Sequence, residues 1–229
     1  MIDTVIFDMD GVLLDSEPIH QRVNLAYFAR LGVSIPHEYY ARNFVGLPLA
    51  QMLVVLKKSY RLQQSVEEMM AECSAMLLDE FRRVELTAAP GVEALLREFA
   101  DRGWQLAVGS SSSPEIIALL IGRLGLNDVF QLLLSGYQVK RGKPYPDLFL
   151  RIAELLQTVP QRCLVIEDSA QGLTAAHRAG MKAVGVDNPG AQQDMRWAAI
   201  TVSGFQASER QRILATLEGW ATTDGSGLA

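Results

Sequence analysis

Short, unbroken apolar runs alternate along the chain with stretches whose apolar residues recur every three or four positions. Thr4–Phe7, residues 105–109, 132–134 and 163–166, and Lys182–Val186 are runs of strand length. Apolar runs without polar alternation predict strands covered on both faces. Val92, Leu95, Leu96 and Phe99 fall at i, i+3, i+4 and i+7, just after Pro90-Gly91. Leu148, Phe149, Ile152, Leu155 and Leu156 repeat that period. Each set predicts one apolar face of a helix. Strands alternating with such helices predict an α/β fold, a parallel sheet between helical layers.

Residues 16–84 depart from the alternation. They contain no strand-like run, and segments 50–60 and 66–81 read as helices. Met69, Met70, Met76, Leu77 and Phe81 form an apolar set that predicts helix packing rather than a cofactor contact. The expected organisation is a core built from residues 1–15 and 85–229, interrupted by a helical insertion at 16–84. Segments 14–16 and 85–90 are the candidate hinges. Residues 222–229 read as a frayed tail.

Composition narrows the partners. The chain has 229 residues, 49% hydrophobic and 21% charged, an ordinary globular balance. A formal net charge of −5, with no Lys/Arg stripe, argues against nucleic acid as a partner. A phosphate-bearing ligand must therefore be met by a local site. Cys73 and Cys163 lie far apart without metal-like spacing, which predicts reduced, buried thiols. The chain enters its first strand without a basic leader. No apolar run approaches the ~20 residues of a membrane helix. No membrane contact and a cytoplasmic location are expected.

Candidate chemistry gathers where the strands end, the side on which open α/β sheets bind ligands. Asp8 and Asp10 follow the first strand. Alternate strand residues face opposite ways, but the break at Gly11 lets both carboxylates turn to one site. Ser110 and three more serines follow the second strand. Lys143 stands in Gly142-Lys143-Pro144-Tyr145-Pro146, and Glu167-Asp168 follows the fourth strand. Singly, each has a plainer reading. An aspartate can cap a turn, Asp168 or Ser169 can cap the helix beginning near Ala170, the serines can form a loop, and Lys143 can be solvated. Together, four acids on one rim repel unless a cation sits among them. Hard oxygen donors suit Mg2+, which also binds substrate phosphate.

Asp8-Met9-Asp10-Gly11-Val12, Ser110, Lys143 and Glu167-Asp168, in that order, resemble the four motifs of the haloacid dehalogenase superfamily on its phosphatase side. The resemblance covers nearly the whole chain. Asp15-Ser16-Glu17-Pro18 and the Lys143 segment resemble the branch of β-phosphoglucomutase and phosphoglycolate phosphatases. The resemblance implies a three-layer Rossmann-like core and a small α-helical cap domain at 16–84. It implies Mg2+ held by Asp8, Asp10 (through its backbone carbonyl), Glu167 and Asp168. Asp8 is then the nucleophile and Asp10 the proton carrier. Lys143 and Ser110 complete the catalytic set, with the Ser111 amide beside them. Gly46 and Leu47 lie in the loop matching the family's specificity loop, and His20 is a further substrate-binding candidate or a surface residue of the first cap helix. The mutase has an arginine in that loop, where this chain has Leu49, although Arg42 is a possible substitute. The implied activity is hydrolysis of a small phosphorylated metabolite, a sugar or sugar-acid phosphate, by a monomer. The alternatives are a β-phosphoglucomutase-like phosphomutase and a non-catalytic binding protein on the same scaffold.

Overall fold

A computed structural model describes residues 1–45, 47–188 and 193–224, the last four by backbone alone. Six parallel strands form one sheet: β1 (Thr4–Phe7), β2 (Gln105–Ser110), β3 (Leu132–Ser135), β4 (Cys163–Glu167), β5 (Lys182–Val186) and β6 (Ile200–Val202). Their order is β3-β2-β1-β4-β5-β6. The chain therefore winds outward from β1 in one direction, then returns beside β1 and winds out in the other. Phe7 pairs with Val108 of β2 and Ile166 of β4, so β1 is central. The place where winding reverses lies between β1 and β4, and a crevice opens there at the strands' carboxyl ends.

The strand residues divide by parity. Val5, Phe7, Leu106, Val108, Leu164 and Ile166 join one apolar cluster, and Ile6, Ala107, Cys163 and Val165 join the other. Burial on both faces is why these strands read as continuous apolar runs. The helices of the core are α5 (Val92–Asp101), α6 (Pro114–Arg123), α7 (Asp147–Leu155), α8 (Ala170–Arg178) and α9 (Ala207–Asp224). Those preceding them in the chain are α1 (Glu17–Arg30), α2 (His37–Asn43), α3 (Leu49–Tyr60) and α4 (Val66–Arg83), all between β1 and α5. In α5, Val92, Leu95, Leu96 and Phe99 are buried. Strand β6 lies beyond the expected runs. It is three residues at the sheet edge, too short for a pattern.

Helix α4 starts with a capping box, in which the Ser65 hydroxyl accepts from the Glu68 amide and the Glu68 carboxylate accepts from the Ser65 amide. It buries Met69, Cys73, Leu77 and Phe81. Met70 and Met76 are half-buried against the same core, so the methionine set is packing material. Beneath it the Cys73 thiol donates to Asn24 Oδ1 at 3.2 Å, and Asn24 donates to the Tyr40 hydroxyl at 2.8 Å. The two connections to the sheet lie side by side, with the Ala89 amide donating to the Leu13 carbonyl at 2.8 Å. Both cysteines are buried free thiols. Among the described residues no helix is long and apolar enough to cross a membrane. Of the expected tail, residues 222–224 are helical in backbone and the rest lie outside the described residues.

Candidate active site

Asp8 leaves the end of β1 with its amide donating to the Ile166 carbonyl of β4 at 2.9 Å. The next residues fold back sharply. The Leu13 amide donates to Met9 O at 2.9 Å, and the Gly11 amide donates to Leu14 O at the same distance. Gly11 has φ +77, and a Cβ there would come within 2.0 Å of Asp168 Oδ2. Only glycine satisfies both the turn and the close carboxylate. This fold-back takes Asp8 and Asp10 off strand alternation and brings both to one pocket of about 520 Å³, as the Gly11 break predicts.

Lys143 is buried and joins two acids. Its Nζ donates to Asp8 Oδ1 at 2.6 Å and to Glu167 Oε1 at 2.5 Å. The ammonium also lies 5.3 Å from the Phe149 ring centroid. A solvated loop lysine is thus not what the fold makes of this residue. Burial works to lower the Lys143 pKa, but Asp8 and Glu167 outweigh it and keep the ammonium charged. Glu167 is fully buried, and its other oxygen accepts from the Ser169 amide at 2.7 Å and the Ser169 hydroxyl at 2.9 Å. Ser169 also accepts from the Gly172 amide, so it is the cap of α8. A Cβ at Gly172 would stand 1.7 Å from Glu167 Oε1, so only glycine there makes room for the carboxylate.

Asp8, Glu167 and Asp168 each offer a carboxylate oxygen within 4.8 Å of the others. Burial pushes Asp8 up to about 7, despite the pull of Lys143. Burial and the Glu167 charge push Asp168 well above its ordinary value. Such acids, held together with one shared ammonium, retain an excess of negative charge that a hard cation would relieve. Three oxygen donors in this arrangement fit such an ion. Asn188, just past β5, donates to Asp168 Oδ2 at 2.9 Å and to the Gly11 carbonyl at 3.1 Å, fixing acid and turn together.

Asp10 is held differently. The Ser16 hydroxyl donates to its Oδ1 at 2.5 Å, His20 Nε2 lies 3.1 Å from the same oxygen, and the Ser112 hydroxyl donates to Oδ2 at 2.9 Å. Burial works to raise the Asp10 pKa, but His20, Ser16 and Ser112 outweigh it and hold it at about 2. Burial likewise opposes charge on His20, and Asp10 more than offsets this, so the imidazole pKa is raised. Each partner thus favours the charged form of the other. Ser16 occupies the N-cap of α1 yet makes no side-chain cap bond, because its hydroxyl is turned to Asp10. Two neighbouring acids thus sit in opposed electrostatic settings, the arrangement that separates proton-carrying from other roles.

The remaining expected residues fall as follows. Ser111 is exposed and lines the pocket, as do Leu47 and Leu49. Ser110 is fully buried beneath, and its Oγ accepts from the Ser112 amide at 3.0 Å. His20 faces Asp10, not the solvent alone. Arg42 is exposed on α2 and does not line the pocket. Gly46 lies outside the described residues. Ser169 caps α8, one of the two expected caps, and also donates to Glu167; the contacts of Ser16 and Ser112 with Asp10 and of Asn188 with Asp168 are ones the sequence reading misses. The one signal for Asn188 is its place past a strand end.

A model of haloacid dehalogenase-like hydrolases matches residues 5–186. The chain is similar to the phosphorylated carbohydrates phosphatase of Thermotoga maritima, 31% identical over 80% of this chain and 84% of that protein. It is equally similar, at 31% identity over 86% of this chain and 89% of the other, to hexitol phosphatase B of Escherichia coli strain K12. The solved β-phosphoglucomutase of Clostridium difficile superposes with a TM-score of 0.83 over 97% of this chain and 100% of that one. At 23% identity that likeness concerns the fold. The chain belongs to the haloacid dehalogenase-like hydrolase family.

Proposed function

We propose that this protein is a Mg2+-dependent phosphatase of a small phosphorylated carbohydrate, acting through an aspartyl phosphate on Asp8. The observation that carries the reading is the buried cluster in which Lys143 bridges Asp8 and Glu167 beside Asp168. The two phosphatases similar at 31% identity support the substrate class.

In the first step an Asp8 oxygen bonds to phosphorus as the ester P–O bond breaks, and the carbohydrate oxygen leaves with a proton. In the second, water attacks phosphorus, the Asp8–phosphate bond breaks, and inorganic phosphate departs. Asp10 carries both protons, giving one to the leaving oxygen and taking one from water. His20 Nε2, 3.1 Å from Asp10 Oδ1, is placed to exchange a proton with it. Ser16 and Ser112 aim its carboxylate. His20 therefore serves the proton carrier rather than the substrate directly. Ser110 and the Ser111 amide would steady phosphoryl oxygens. Asp8, Glu167, Asp168 and the Asp10 backbone carbonyl would hold Mg2+, whose charge offsets repulsion between the Asp8 carboxylate and the anionic phosphate.

The helical segment 16–84 acts as a cap domain over the core formed by 1–15 and 85–229, closing on substrate and limiting water. A monomer working in the cytoplasm completes the reading. A phosphomutase would share the core chemistry but needs a cation for a second phosphate. Leu49 stands on the pocket wall, and no arginine lines the pocket among the described residues. The test is phosphate release from a panel of phosphorylated metabolites, with Mg2+ and with EDTA. Mg2+-dependent release from carbohydrate phosphates, lost in Asp8→Asn, is the expected result. Failure on every substrate, an activated aryl phosphate included, would leave a binding protein instead.

A further inference from the structure

The pocket has a second polar feature that phosphate chemistry leaves unused. Glu17, in the first turn of α1, lines it, and its Oε1 is buried without a hydrogen-bond partner among the described residues. Gln171, from α8, lines the same pocket, and its Oε1 is also buried without a partner among the described residues. Buried acceptors without donors are costly, and folded chains rarely keep them without a use. Here one comes from the helical segment and the other from the core, and both border the space a leaving group would occupy.

The charges around this space sharpen what fits. Among the described lining residues the only cationic side chains are Lys143 and His20. Lys143 is engaged by Asp8 and Glu167, and His20 by Asp10. Asp15 and Glu17 border the pocket near the entry to α1. A second phosphate or a carboxylate on the substrate would approach the carboxyls of Asp15 and Glu17 with no further cation among the described lining residues to offset its charge. Hydroxyl groups bring donors. Leu47 and Leu49 supply an apolar wall against which the carbon face of a polyol can lie.

We propose that Glu17 is a specificity-determining residue. With Gln171, it accepts hydrogen bonds from the hydroxyls of an uncharged, polyhydroxylated leaving group and turns away substrates bearing a second anion. The inference rests on the phosphatase reading above and narrows it to neutral sugar or polyol phosphates, excluding the sugar-acid phosphates. Burial pushes the Glu17 carboxyl up to about 7, with His20 pulling the other way. Ionised, the carboxyl accepts through both oxygens; protonated, it keeps one carbonyl acceptor and gains one donor, so a sugar hydroxyl finds a partner in both forms.

The test compares kcat/KM for a hexitol phosphate, a phosphorylated sugar acid, a sugar bisphosphate and an aryl phosphate lacking hydroxyls. Wild type should prefer the hexitol phosphate over both doubly anionic substrates by tenfold or more. Glu17→Ala should lower the ratio of hexitol phosphate to aryl phosphate turnover about ten- to hundredfold. Glu17→Lys should raise turnover of the sugar-acid phosphate relative to the aryl phosphate. Equal use of neutral and doubly anionic substrates by wild type would overturn the proposal. So would an equal loss on hexitol and aryl phosphates in Glu17→Ala, which would make the residue structural. No turnover of any of the four substrates by wild type would instead overturn the phosphatase reading itself.

Discussion

Replacing Lys143 with methionine isolates what the buried ammonium does. The unbranched side chain keeps most of the volume and the contact with Phe149 while removing the charge. Asp8 and Glu167, bonded to Nζ at 2.6 and 2.5 Å, would then face each other and Asp168 without a counter-charge. Removing one partner of a buried pair costs about 3–5 kcal/mol. In a chain of this size that corresponds to a fall in Tm of roughly 6–20 °C. The loss depends on pH. The folded pKa of Asp8 stands at about 7 against an ordinary 3.8, and it rises further without Lys143. Protonation of Asp8 thus favours the folded state, fully below about pH 4, and that support is lost as pH rises through the folded value. Thermal melts of both proteins in EDTA should show the larger deficit at pH 8 and a smaller one at pH 5. Added Mg2+ should narrow the deficit at pH 8. Equal Tm values at pH 8 in EDTA, or a deficit that does not change with pH, would refute the bridging role.

Three other outcomes follow from the same geometry. Asp10→Asn should slow hydrolysis of a carbohydrate phosphate by about 10²- to 10⁴-fold but an aryl phosphate far less, because a good leaving group needs no proton; equal losses in steady-state assays would remove Asp10 from that role. Gly172→Ala places a methyl group where Glu167 Oε1 lies, so the Mg2+ concentration for half-maximal activity should rise roughly 10- to 100-fold, and an unchanged Mg2+ titration would contradict it. Asp10 at about 2 lies below its ordinary 3.8, so its ionised form supports folding above about pH 4 and that support fades as pH falls through 2; His20→Asn should move the acid-unfolding midpoint, followed by circular dichroism, to higher pH, whereas an unmoved midpoint would count against the pair.

The sheet was legible because its strands are buried on both sides and so read as unbroken apolar runs. Strand β6, three residues at the edge, carries no such signature. Helix α6 is hidden behind the serine run, since Ser113 is its cap and only the turn after Ser110 separates it from β2. The acids at the strand ends were readable from position, because topology alone carries them to one rim. Their partners were not. Which of four consecutive serines reaches Asp10 depends on backbone direction, and Ser112 does so across 102 positions of sequence. Ser16 looks like a helix cap and is one in backbone position, while its hydroxyl serves Asp10. Asn188 belongs to no motif and acts only because β5 ends beside Asp168. His20 was open between two readings, and the placement of α1 brings it to Asp10.

The central claim is that Asp8 carries the phosphoryl group. Quenching the enzyme during turnover of a carbohydrate phosphate and reducing it with borohydride converts an aspartyl phosphate to homoserine. Peptide mass spectrometry should then find homoserine at position 8, dependent on substrate and on Mg2+. Turnover with no modification at Asp8, or with homoserine at another acid, would contradict the account.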